Sequence, residues 1–360
     1  MFSFNPKYME RCLQLAQYGA GYVSPNPMVG AVIVHNDMII GEGYHRQYGE
    51  PHAEPNAIRS VKETHLLKDS TMYVSLEPCS HYGKTPPCTD LIVSKGIPRV
   101  VIGSPDPNPK VAGRGIKKLQ DAGIQVITGI MEKECRELNK HFFTFQEKKR
   151  PYITLKWAQT TDGFIDIQRK NADTAPIRIS NELTSLLVHK MRAENQAILV
   201  GTNTARLDNP SLTVRKWSGT NPNRIVLDRT GNIRSDLRVF NGETETFIYT
   251  ETSGESRHNV EYITLNFNQE TILETIIEDL AKRNINSLLV EGGAKLLNSF
   301  IEKGLWDEAR VEIAPTTIGT GVTAPVIASL PIEEKTYQRH KCLSYRNNDK
   351  EQKQSENQCK

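Results

Sequence analysis

Short β-branched runs alternate with amphipathic stretches along this chain, and the alternation breaks once, at the polar segment Glu147-Lys148-Lys149-Arg150-Pro151, before it starts again. A chain that repeats strand and helix in this way builds a sheet with helices packed on it. In the first series the pattern predicts a helix over 7–20, β runs at 29–34 and 38–44 joined by His35-Asn36-Asp37, and a helix over 52–61. Strands at 72–76 and 99–103 follow, with a helix at 89–95 between them and a further helix–strand pair beyond. In the second series strands are expected at 152–158, 197–201, 224–227, 246–249 and 287–290, with helices near 181–193, 270–283 and 294–303. At 360 residues the chain exceeds what one hydrophobic core holds. Two α/β domains are expected, a three-layer one over 1–147 and a second over 148–343. Residues 344–360 are nearly all polar and are expected to form a disordered tail. After Lys335 no apolar alternation marks a closing strand, which leaves the last edge of the second sheet in doubt.

The 45 basic and 42 acidic side chains leave a net charge of +3, too even a balance for an electrostatic footprint on nucleic acid. No apolar run is long enough to cross a bilayer. The start, Met1-Phe2-Ser3-Phe4-Asn5-Pro6, lacks the basic flank and apolar core of a secretion signal, so a cytoplasmic protein is expected. Thiols stay reduced in that compartment, and six cysteines scattered over 360 residues make no disulfide framework. Any cysteines with local logic are then metal candidates.

Such logic exists where His52-Ala53-Glu54 opens a helix and where Glu77-Pro78-Cys79 and Pro87-Cys88 follow a strand. A catalytic zinc takes three protein ligands and keeps its fourth position for water. His52, Cys79 and Cys88 offer one neutral nitrogen and two thiolates, which cancel the metal's charge. Glu54, beside the histidine and not itself a ligand, is placed to carry a proton from that water to a ring nitrogen and a leaving amine. The usual deaminase signature sets two residues between its cysteines, whereas here Ser80 to Pro87 intervene. A closed structural site would need a fourth ligand, and His35, His65 and His81 have no partner logic.

In the second half, Leu288-Leu289-Val290-Glu291-Gly292-Gly293-Ala294-Lys295 reads as a buried strand, a glycine turn and a helix start whose amides can hold phosphate. The helix with His189 and Arg192, and the loop from Gly201 to Arg215, bring guanidinium groups suited to phosphate oxygens, or to surface ion pairs.

The segments Asn26 to Val34, Gly41 to His45, Gly49 to Glu54, Glu77 to Cys88 and Asp106 to Gly115 resemble the bifunctional riboflavin-biosynthesis deaminase/reductase family. Lys156-x-Ala158, Thr161-Asp162-Gly163 and the second-half motifs resemble its reductase part, so the likeness runs from residue 7 to about 330. The resemblance implies a cytidine-deaminase-like domain followed by a dihydrofolate-reductase-like one. It implies a pyrimidine ribosyl phosphate as substrate, one zinc ion held by His52, Cys79 and Cys88, Glu54 as proton donor, and NADPH as the hydride source. By matching position, Ala158, Arg178, Thr204, Asp208, Gly293, Ala294, Lys295, Leu296, Leu297, Asn298 and Ser299 would meet NADPH. Arg192, Leu212, Arg215 and Glu291 would meet the substrate. A homo-oligomer with no nucleic-acid or membrane partner is implied as well. This chain departs from the family's Ser-x-Trp-Ile-Thr at Pro176-Ile177-Arg178-Ile179-Ser180, which removes a substrate hydroxyl and an aromatic wall. That departure keeps open a deaminase whose reductase domain is weak or inactive. Two other readings stand beside it, a deaminase acting on nucleic acid and a non-catalytic zinc-stabilised module.

Overall fold

Along Gly30–His35 (β1) the side chains alternate between two apolar layers. Ala31 and Ile33 join Ala57, Met72, Val74, Ile92 and Val100 in one; Val32 and Val34 join Met9, Cys12, Tyr73 and Val101 in the other. The sheet between them also holds Met38–Tyr44 (β2), Thr71–Leu76 (β3), Arg99–Ser104 (β4) and Gln125–Ile127 (β5), in the order β2-β1-β3-β4-β5. β1 is antiparallel to both neighbours, and β3, β4 and β5 are parallel. Pro6–Gln17 (α1) and Glu132–Leu138 (α5) supply the second layer, while Ala53–Ser60 (α2), Cys88–Ser94 (α3) and Arg114–Asp121 (α4) supply the first. This computed structural model describes residues 3–82, 86–108 and 112–347. Its chain divides into two compact units, Met1–Lys149 and Arg150–Lys360. The sequence reading ends the first domain at 147; the last helix, Lys140–Lys148 (α6), runs on, and Lys149 caps it in the left-handed region at φ 53°.

Helix α2 lies on the backbone of β2. A Cβ on Gly43 would come within 2.2 Å of the Ala57 nitrogen and 2.6 Å of the Ala53 oxygen. Only a residue without a side chain lets the helix sit so close, and this closeness fixes where its first turn begins.

The second unit comprises Tyr152–Thr160 (β6), Phe164–Asp166 (β7), Glu182–Glu194 (α7), Ala197–Gly201 (β8), Thr202–Asp208 (α8), Asn223–Leu227 (β9), Thr246–Thr250 (β10) and Val260–Thr264 (β11). It continues with Ile272–Lys282 (α9), Ser287–Val290 (β12), Ala294–Glu302 (α10), Glu308–Ala314 (β13), Val322–Thr323 (β14), Glu333–Tyr337 (β15) and His340–Arg346 (β16). Its main sheet runs β11-β10-β9-β8-β12-β6-β13-β16-β15. The strands from β11 to β13 are parallel, and β16 and β15 close the edge antiparallel. Parallel strands covered on both faces need continuous apolar runs, which Ala197 to Val200 and Leu288 to Val290 supply.

Two sequence expectations need correction here. The second sheet does close, because Leu343 and Tyr345 on β16 pack against the main core while Ser344 between them meets Arg310 and His340 before them meets Glu312. Ser344, Tyr345 and Arg346, expected in the disordered tail, therefore belong to a strand, and positions 348–360 lie outside the described residues. No helix among the described residues is long and apolar enough to cross a membrane.

Gly43→Ala tests the close approach of α2. Overpacking of this kind costs about 1–3 kcal/mol, and the denaturant midpoint of the first unit should fall together with its metal content.

Candidate active sites

His52 precedes α2 in extended backbone at φ −66° and ψ 176°, Cys88 opens α3, and Cys79 follows β3. Their ligand atoms all lie within 4.8 Å of one another. His52 Nδ1 stands 3.6 Å from Cys79 Sγ and 3.4 Å from Cys88 Sγ. Zinc at about 2.3 Å from sulfur and about 2.1 Å from nitrogen, with tetrahedral angles, sets N and S roughly 3.6 Å apart. The three side chains thus fit that ion, and they form the one His/Cys/Asp/Glu cluster of this kind among the described residues.

The three groups share their protons. The Cys79 thiol falls to about 4 because Cys88 donates to it and His52 adds a second bond. His52 rises to about 9 through its bond to Cys79, against the effect of burial. Cys88 is pushed well up by its bond to the Cys79 sulfur and by burial. One thiolate thus serves two proton holders, and a dication among them would take their place. Glu54 in the first turn of α2 is 3% exposed, and burial raises its carboxyl, with His52 opposing. A carboxyl raised in this way holds and releases a proton nearer neutral pH.

Glu77, two residues before Cys79, was quoted in the sequence motif without a role. It is buried, and its two oxygens accept four main-chain N–H groups. Oε2 takes those of Asp106 and Gly113 at 3.1 and 3.0 Å; Oε1 takes those of Gly115 and Ile116 at 2.9 and 3.2 Å. The last two belong to the first turn of α4, whose unpaired amides favour an anion. A Cβ on Gly115 would lie 2.2 Å from the Pro78 oxygen, so helix and ligand loop are in direct contact. His45 likewise carries no sequence-assigned role; its ring meets that of His52 edge-on at 5.4 Å, and its Nε2 lies 3.2 Å from Asn26 Nδ2.

In the second unit a cleft of 1150 Å³ opens at the carboxyl ends of β6, β8, β9 and β12, where open α/β sheets hold their ligands. That is larger than the ~300–1,000 Å³ of most small-molecule sites and leaves room for a dinucleotide beside a second molecule. Ala158, Arg178, Thr204, Asp208 and Glu291 line it, as do Gly293, Ala294, Lys295, Leu296 and Ser299. Leu297 is fully buried in the core, so only its main chain could reach a ligand, and Asn298 is not in the lining. Leu212 is also a core side chain, at φ 55°. Arg192 and Arg215 are not in the lining. Arg192 forks onto Glu291 at 3.0 and 2.7 Å, and burial works against both charges but the pairing outweighs it. Glu291 sits below the usual carboxylate range and Arg192 above its own. Arg215 gives its amide to His189 Nδ1 at 3.1 Å and its guanidinium to Thr213 at 2.9 Å.

Arg169 escaped the sequence reading. It donates to Asp166 at 2.6 Å and to Asp208, and its side chain is 4% exposed. Asp208 is pushed up by burial and pulled down by Arg169. No motif signals this clamp, because Arg169 lies in an irregular loop.

Zinc-type donors around a buried carboxylate are the working parts of a hydrolytic deaminase, here joined in one chain to an α/β domain with a nucleotide-sized cleft. Residues 3–104 match the family described as the cytidine and deoxycytidylate deaminase zinc-binding region, and residues 151–350 match the RibD C-terminal domain. The riboflavin biosynthesis protein RibD of Aquifex aeolicus is 41% identical over 342 residues, 93% of each chain. That of Escherichia coli is 38% identical over 346 residues, 91% of this chain and 92% of its own. A Thermotoga maritima diaminohydroxyphosphoribosylaminopyrimidine deaminase/5-amino-6-(5-phosphoribosylamino)uracil reductase is similar in structure, with a TM-score of 0.84 at 38% identity over 95% of this chain and 98% of that one. The chain belongs to the RibD family: it is a bifunctional enzyme of riboflavin biosynthesis, with deaminase and reductase activities on a small-molecule substrate.

Two outcomes check the metal site. Glu77→Gln places an NH₂ against main-chain donors and should cost the first unit about 1–3 kcal/mol, seen as a lower denaturant midpoint and faster metal loss to a chelator. Because His52 and Cys88 must shed protons to bind, metal-stripped protein should take up zinc more tightly at pH 8 than at pH 6, measured by competition with a chromophoric chelator.

Proposed function

We propose that the first unit hydrolyses 2,5-diamino-6-ribosylamino-4(3H)-pyrimidinone 5′-phosphate and that the second reduces the ribosyl side chain with NADPH, giving 5-amino-6-(5-phosphoribitylamino)uracil. The observation that carries the first half is the spacing of His52, Cys79 and Cys88, with Glu54 buried beside them. Zinc in that cluster supplies Lewis acidity, which brings water toward a nucleophile near neutral pH. Glu54 would carry the two protons of the attacking water in turn, the first to the ring nitrogen and the second to the departing amine, so that N=C–NH₂ and water become HN–C=O and ammonia.

In the second unit the Arg192–Glu291 pair presents a fixed carboxylate to the cleft and, with Arg215, serves the substrate's sugar phosphate. The main-chain amides at the start of α10, with Ala158, Thr204, Asp208 and Arg178, serve the dinucleotide. Held by those groups, NADPH would supply a hydride for C1′ of the opened ribosyl chain, and a proton taken up at the adjoining nitrogen would complete the gain of two hydrogens. The protein's part is alignment within the cleft. The enzyme works in the cytoplasm as a homo-oligomer, without nucleic-acid or membrane partners.

One anaerobic reaction tests this reading. Zinc-loaded protein with the diamino pyrimidine phosphate should release ammonia, and added NADPH should give a product heavier by two hydrogens. Ammonia without that gain overturns the reductase assignment. Glu54→Gln should keep its zinc and lose deamination by about 10²–10⁴-fold; full activity in that variant would remove Glu54 from the mechanism.

A further inference from the structure

Residues 176–180 form one wall of the reductase cleft and have no strand or helix of their own. A segment without a hydrogen-bonded ladder presents its side chains at fixed positions only if other elements hold it. At its start, the Ile177 amide donates to Asp166 Oδ1 at 3.1 Å, and Asp166 receives Arg169 on its other oxygen. At its end, the Ser180 hydroxyl donates to Glu312 Oε2 at 2.6 Å. Glu312 lies on β13, opposite Ala158 of β6, and its side chain is 5% exposed. Its second oxygen is 2.8 Å from Nδ1 of His340 on β16. A carboxylate partner fixes the proton on that nitrogen, so His340 donates. Asn181, the next residue, donates from Nδ2 to the Tyr337 carbonyl of β15 at 3.2 Å.

We propose that Ser180, Glu312 and His340 are positioning residues of the reductase: a buried carboxylate ties the wall that carries Arg178 to the closing hairpin, and this tie sets how tightly the dinucleotide is held. The inference rests on reading Arg178 as a cofactor contact. It is not a hydrolytic triad, because the hydroxyl donates to the carboxylate and makes no bond to the imidazole. A buried carboxylate that loses one of two donors bears an uncompensated desolvation penalty, so the serine cannot swing away while Glu312 and His340 stay in place. The tie is also specific in direction. Glu312 stands in register with Ala158, itself part of the cleft lining, so a shift of the wall is a shift against the floor beside it.

The experiment compares steady-state reduction by the full-length zinc-loaded enzyme and its Ser180→Ala, Ser180→Thr, His340→Ala, Glu312→Gln and Arg178→Ala variants, with NADPH varied. Ser180→Ala should raise KM for NADPH about tenfold, the scale of one lost bond to a charged group, with a smaller change in kcat. Ser180→Thr, which keeps the hydroxyl, should restore the original KM. His340→Ala should raise KM in the same way, and the double variant with Ser180→Ala should be less than multiplicative, since both act through Glu312. A merely structural role would lower thermal stability without that KM shift or the threonine rescue. An unchanged KM in Ser180→Ala beside a raised one in Arg178→Ala overturns the inference and leaves the cofactor reading standing. Unchanged KM in both overturns the cofactor reading with it. Should Ser180→Ala fail to fold, Glu312→Gln and His340→Ala carry the same comparison.

Discussion

The four main-chain N–H groups gathered by Glu77 are what the first unit's chemistry depends on. An ionised carboxylate taken out of water must be repaid in hydrogen bonds, and this one takes its bonds from a loop and a helix start distant in sequence. Because Glu77 sits two residues before Cys79, whatever fixes the carboxylate also fixes one member of the His52–Cys79–Cys88 cluster. The other two members are placed by helix starts, His52 ahead of α2 and Cys88 at the head of α3. Gly43 sets the depth of α2 against the sheet, and with it the height of Glu54 over the cluster.

The second unit uses the same physics with side chains in place of amides. Glu291 is held by Arg192, Asp208 and Asp166 by Arg169, and Glu312 by Ser180 and His340. The first two pairings hold charges at the border of a wide cleft, and the third anchors Ser180 of its lining. The two units thereby suit different tasks: a tight His/Cys cluster that could hold one ion, and a wide cleft with room for sizeable ligands.

How much of this was legible follows the kind of signal involved. The His52–Cys79–Cys88 cluster was readable because a histidine beside a glutamate at a helix start, followed by two proline-preceded cysteines, has local logic even with Ser80 to Pro87 intervening. Glu77 was not, since its partners are main-chain groups 29 to 39 residues away, and main chain has no sequence signature. Strand β13 was passed over because Glu308, Arg310 and Glu312 interrupt Ala309, Val311 and Ile313. The alternation is a strand's, but two of the charges are buried, which composition alone argues against. Hairpin β15–β16 offered only Tyr337, Cys342, Leu343 and Tyr345 as apolar marks among charged neighbours. Leu212 and Leu297 show the converse: a position within a motif does not say which way its side chain points, and both point into the core.

The closing hairpin has a consequence for the order in which the molecule is made. Ser180 meets Glu312 across 132 residues, and Asn181 meets Tyr337 across 156. Synthesis proceeds from the amino end, and domains fold as units as they emerge. The contiguous deaminase unit can therefore be complete while the ribosome is still extending the reductase. The reductase wall has to wait for almost the last strand of its sheet. Until residues 333–346 appear, the carboxyl edge of that sheet stands without the tie that bounds its cleft. A nascent chain thus completes its deaminase unit before its reductase unit.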